Sequence, residues 1–136
     1  HQKKDLSMHK ALLALALCSA SAISQAATFS EADLCKATIA VEMGRKVGNM
    51  HTAKPSDGFA HIWYVRSDDG QKFSYRCHIV GNRVVWSTYF TDTREWGRWR
   101  NDYSAGDAET TYSISGNTLT ITNSDMGSAQ FSKSEF

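Results

Sequence analysis

Proline occurs once in these 136 residues, at Pro55, and no internal repeat, low-complexity tract or interdomain linker is present. A long apolar run is also missing. The stretch Ala11–Cys18 reads ALLALALC, far short of the roughly 20 residues a helix needs to cross the hydrocarbon core. Charge of one sign is missing too: the formal net charge is +1, so there is no global basic field of the kind that drives nucleic-acid binding. Gly-x-Ser-x-Gly, phosphate-loop, His-Glu-x-x-His and Cys-x-x-Cys patterns do not occur, so no catalytic residue, metal site or cofactor is assigned from motifs.

What is there begins with an export signal. Lys3, Lys4, His9 and Lys10 form a positive region, the apolar run follows, and Ser24-Gln25-Ala26 places small residues three and one before a cleavage point. That is the tripartite pattern of a secretory signal. Residues 1–26 are read as this signal, with translation starting at His1 or at Met8, and residues 27–136 as one exported domain. Cys18 lacks the small preceding residue of a lipobox, because Leu17 stands there, and it leaves with the signal. The remaining 110 residues suit a single domain. They carry 12 basic and 13 acidic side chains once Lys3, Lys4, Lys10 and Asp5 are removed. Cys35 and Cys77 are the two cysteines left, so only one pairing exists in an oxidising compartment. Closing that loop stabilises the domain by about 3–4 kcal/mol on the chain-entropy model.

Residues 29–43 predict a helix. Ser30 caps it with Asp33 in the capping-box position, Phe29 and Leu34 form a hydrophobic staple, and Gly44 ends it. Residues 46–57 read as a loop, with His51 a solvated loop residue. Beyond it, 59–66, 72–80, 83–90, 109–115, 118–122 and 128–134 read as strands joined mainly by short turns, hence antiparallel. Phe73, Tyr75, Cys77 and Ile79 alternate with Lys72, Ser74, Arg76 and His78, so Cys77 faces the core and the helix must pack across that face. A two-residue turn at Gly81-Asn82 puts Trp86 opposite Cys77 and Val84 opposite Ile79. For the first hairpin, Asp69-Gly70 as a two-residue turn sets His61 opposite His78. A type I turn with a glycine bulge over Ser67–Gly70, which the composition favours, moves His61 to the core face.

The most unusual composition is Arg94-Glu95-Trp96-Gly97-Arg98-Trp99-Arg100. Arginine and tryptophan dominate binding hot spots, and guanidinium groups clamp carboxylates or phosphates beside stacked indoles. The candidate surface therefore comprises Arg94, Trp96, Arg98, Trp99 and Arg100, with Arg76 and His78 on the polar sheet face. The competing reading is structural: one tryptophan plugs the sheet while the arginines pair with Glu95, Asp102 or Asp107. His61 and His78 lack any acidic or cysteine partner at diagnostic metal-ligand spacing.

Size, export and a helix followed by an antiparallel sheet resemble the small secreted microbial ribonucleases, which would nominate Glu95, Arg98 or Arg100, and His78. That likeness is architectural. Asp68 to Ile79, Gly81 to Trp86 and Gly97-Arg98-Trp99-Arg100 resemble a group of small exported bacterial proteins of unknown function, so the resemblance implies a compartment and no activity. The Ser87–Glu95 segment is longer than that group leads one to expect. The reading is an α+β domain: one N-terminal helix, disulfide-linked to a twisted antiparallel sheet of about six strands curling towards a partly closed barrel. The expected function is periplasmic or secreted binding, of the inhibitor or immunity type, directed at a protein partner in the cell envelope. A small secreted hydrolase is the alternative. Neither nucleic acid nor a membrane span is expected.

Overall fold

The computed structural model describes residues 28–54 and 56–136; the signal segment, Cys18 and the cleavage point lie outside them. Helix α1 spans Glu31–Met43. Its first turn is closed by a reciprocal pair: the Ser30 hydroxyl accepts from the Asp33 N–H at 3.0 Å, and the Asp33 carboxylate accepts from the Ser30 N–H at 3.1 Å. Phe29 and Leu34 are both buried in one cluster, as a staple requires. Gly44, in the left-handed conformation, ends the helix.

One antiparallel sheet follows, running β1 (His51–Ala53), β2 (Ala60–Val65), β3 (Lys72–Val80), β4 (Arg83–Phe90), β6 (Thr110–Ser115), β7 (Thr118–Asn123) and β8 (Gly127–Ser132) in spatial order, with β5 (Glu95–Trp96) paired only to β4. The sheet curls into a half-barrel around α1. Two of these strands correct the expectation. The segment read as a loop contains a 3-10 turn at Val47–Asn49 and edge strand β1, so His51 is a strand residue. Its ring stacks on Trp63 with centroids 4.3 Å apart. β5 lies inside the stretch read as a connection.

The register decides which side chains meet. Cys77 pairs with Trp86 and Ile79 with Val84, as the two-residue turn at Gly81-Asn82 dictates. The first hairpin follows neither expected geometry. Arg66 and Gln71 close a four-residue loop, Ser67–Gly70, with Gly70 at φ 72°. The aspartates and glycine do form the turn, but an even number of loop residues restores the parity. His61 therefore lies opposite Arg76 on the polar face, rather than on the core face or opposite His78.

The core forms where α1 crosses the sheet. Cys35, Ile39, Ile62, Tyr64, Tyr75, Cys77, Val84 and Trp86 make one buried cluster; Phe29, Leu34, Ala37, Leu119 and Ile121 make the second. The Cys35–Cys77 disulfide joins helix to β3, with Cα atoms 5.6 Å apart. At the other side of the helix, buried Asn123 donates to Glu42 at 2.6 Å, and Lys133 pairs with Asp33 at 2.8 Å. These ties matter because the sheet is nearly split: β4 and β6 share a single pair, Arg83 opposite Thr111. The helix bridges the seam.

Removing the disulfide should therefore cost about 3–4 kcal/mol, since it closes a loop of sequence separation 42. Chemical denaturation of the protein and its Cys35→Ala/Cys77→Ala variant measures this directly. Equal stability of the two would show that the non-covalent contacts alone position α1.

Candidate functional site

The outer, polar face of the sheet carries a second layer of packing. Antiparallel pairing of β2 with β3 places His61 beside Arg76. The chain from Glu95 to Arg100 then runs along the free edge of β4, tied by the Gly97 N–H to the Thr88 carbonyl at 2.7 Å and the Arg100 N–H to the Trp86 carbonyl at 2.8 Å. The buried Ser87 hydroxyl donates to the Gly97 carbonyl at 2.8 Å. Gly97 is favoured by space: a Cβ there would approach the Phe90 ring to 2.5 Å, so that ring would have to move, and the Thr88 carbonyl to 3.4 Å. This close approach delivers Trp96 and Trp99 onto the sheet.

Between the two indoles sits Arg76. Its guanidinium carbon is 4.7 Å from the ring centroid of Trp96 and 4.7 Å from that of Trp99, and 5.6 Å from Phe59. Cation–π contacts of this kind contribute about 0.5–2 kcal/mol each, more as water is excluded. The charge is also paired, Nη1 donating to Asp57 at 2.9 Å, while Nε is buried without a partner. The other oxygen of Asp57 meets His61 Nε2 at 2.7 Å and accepts the Phe59 N–H at 3.1 Å. Edge-on aromatic contacts complete the layer: His61 with Trp96 at 5.1 Å, Tyr89 with Trp96 at 5.2 Å, and Phe59 with Trp99 at 4.9 Å. His78 is exposed at its border, 5.2 Å from Phe59 and 6.1 Å from Trp99.

Partial burial works against the charge of Asp57, but hydrogen bonds from His61, the Phe59 N–H and Arg76 outweigh it and hold the carboxyl down at about 2. A parallel arrangement fixes the neighbouring loop. Arg98 forks onto Asp107 with bonds of 2.6 and 2.9 Å, the bidentate geometry that Arg uses best. Those bonds, helped by the Asp102 N–H and opposed by desolvation, hold Asp107 at about 2.

Of the residues expected from sequence, Arg76, Trp96, Trp99 and His78 come together. Arg98 and Arg100 turn towards Asp107, the latter no closer than 4.0 Å. Arg94 sits at the tip of the β4–β5 turn with φ 58°. The groups nominated for hydrolysis, Glu95, His78 and Arg98 or Arg100, are joined by no hydrogen bond or ion pair among the described residues. Sequence reasoning missed Asp57 and Phe59, and it weighed His61 only as a partner of His78, whereas the register sets it beside Arg76. Their spacing of two, on the approach to a strand, was the available signal.

No group of three or more metal-ligating side chains gathers among the described residues, and none of their helices is long and apolar enough to cross a membrane. No family model, curated protein or solved structure matches this chain.

Two outcomes test the geometry. The folded value of Asp57 lies below its ordinary 3.8, so its stabilisation is complete above that pH and is lost as pH falls through about 2. Asp57→Asn should flatten the acid limb of the melting temperature measured from pH 5 downward, and an unchanged limb would refute the assignment. Gly97→Ala should cost about 1 kcal/mol, the low end for overpacking, because the Phe90 ring is 42% exposed and can swing aside. A loss above about 3 kcal/mol in urea denaturation would mean that the backbone itself leaves β4.

Proposed function

We propose that this chain is a binding domain of the periplasm or the extracellular space, and that it recognises a protein partner in the cell envelope through the outer face of the sheet. One observation carries the reading: Trp96 and Trp99 pack on Arg76 with ring centroids 4.7 Å from its guanidinium, half-buried, with Arg98 beside them at 55% side-chain exposure. Large aromatic surfaces fixed before binding lose little conformational entropy on association, and they are the residue types that dominate interface energetics. Arg76 is enclosed by its own fold, so its part is to position the indoles. The contact surface is the exposed rims of Trp96 and Trp99, together with Arg98 and His78.

The compartment rests on two supports. The N-terminal segment has the charge and hydropathy pattern of an export signal, and the Cys35–Cys77 disulfide belongs to an oxidising environment. The resemblance to small exported bacterial proteins points the same way. Within the envelope, an inhibitor or immunity-type role against a cell-wall hydrolase accords with a small, disulfide-tied domain that offers a rigid patch.

The purified protein should lower the peptidoglycan-hydrolysing activity of a periplasmic extract, and immobilised protein should retain the enzyme responsible. Trp96→Ala/Arg98→Ala should lose at least about 2 kcal/mol of binding, the threshold of a hot spot, while melting cooperatively. Equal retention by wild type and variant would remove the outer face from consideration; unchanged hydrolysis in the presence of both would remove the inhibitor role.

A further inference from the structure

The opposite face of the sheet holds a second concavity. Helix α1 ends at Met43, while β3 and β4 continue beyond it, leaving a cavity of about 520 Å³. Its walls come from Met43, Phe73, Tyr75, Trp86 and Phe90, and Arg100 reaches it from the segment that crosses the edge of β4. The volume falls in the range of small-molecule sites, which are apolar clefts carrying a few placed polar groups.

Arg100 is the group that gives this cavity a chemistry. Its guanidinium carbon lies 5.5 Å from the Trp86 ring centroid. The nearest carboxylate, Asp107, is 4.0 Å away, a long ion pair beyond hydrogen-bond reach, while Arg98 forks onto both of its oxygens. Arg100 thus carries a permanent charge at an aromatic wall with no side-chain hydrogen bond among the described residues. Two other charged residues border the cavity, Lys72 and Asp92. The Lys72 ammonium is engaged 4.5 Å from the Trp63 ring. Asp92 is exposed, where water and salt screen its repulsion of a bound anion.

We propose that this cavity binds a small aromatic monoanion, its ring packed among Phe73, Trp86 and Phe90 and its carboxylate hydrogen-bonded by the Arg100 guanidinium. Burial of one flat apolar body supplies affinity, and the charge-assisted pair supplies selection for the acid over a neutral analogue. The site lies across the sheet from the Trp96–Trp99 patch and does not depend on the reading of that patch.

The test is a titration of the oxidised protein with 3-phenylpropionate and, separately, 3-phenylpropionamide, followed by two-dimensional NMR. The acid should shift signals of Phe73, Trp86, Phe90 and the Arg100 side chain, and should bind about tenfold more tightly than the amide. Arg100→Gln should bring the acid down to the level of the amide at an unchanged melting temperature. Should that variant melt early, Phe90→Ala, at an exposed position, provides the second arm and should weaken acid and amide alike. Equal affinity for acid and amide would overturn the proposal. So would no response at millimolar probe, shifts confined to residues that do not line this cavity, or no effect of Phe90→Ala on either probe.

Discussion

The structure depends on one covalent constraint, the bond between Cys35 and Cys77. Cys35 sits fully buried near the start of α1, and Cys77 lies midway along the central strand β3, opposite Trp86. This fixes the helix against the half of the sheet built from β1 to β4. The same helix reaches the other half through Asn123 and Lys133. Since the two halves share one backbone pair at Arg83 and Thr111, reinforced by the Arg83–Glu109 ion pair, the helix does what a continuous ladder does in a closed barrel. Its apolar face is the common core of two small sheets.

With one face so covered, the other would be a bare polar surface were it not for the segment from Glu95 to Arg100. That segment lies against the edge of β4 and has two sides. Trp96 and Trp99 fold over the outer face and enclose Arg76, whereas Arg100 reaches the inner face at Trp86. Seven residues that attract attention by composition therefore divide their work. The indoles are packing and surface at once, Arg98 secures the loop through Asp107, and Arg100 stands 4.0 Å from the same carboxylate without a hydrogen bond to it. The structural reading of this segment is met by the indoles over Arg76 and by the Arg98–Asp107 pair, and it leaves the exposed rims of the same residues open to a partner.

Much of this was legible in the sequence for definite reasons. Capping of α1 by Ser30 and Asp33 depends on residues three apart, and the Cys77–Trp86 register follows from a two-residue turn. Such signals are local. The first hairpin was not legible because its facing residues depend on whether two, three or four residues form the loop, and Ser-Asp-Asp-Gly satisfies more than one of these. β1 was hidden since three residues at an exposed edge need no alternation. The enclosure of Arg76 was hidden for another reason. It requires Asp57, Arg76, Trp96 and Trp99, which come from three segments of the chain and meet only when the sheet forms. Arg76 and both tryptophans could be picked out individually, but nothing in their spacing announces that they meet.

The narrow seam at Arg83 and Thr111 also bears on how the chain reaches its native state. On either side of it, strands adjacent in sequence are adjacent in space, so each half assembles from contacts of low sequence separation, the kind associated with rapid formation. What joins the halves is an N-terminal helix that must find β3 and β7 across most of the domain. Closing a longer loop costs more entropy, so docking of that helix is the costliest of these closures. Seating the helix covers the apolar faces of both halves together and brings Cys35 against Cys77.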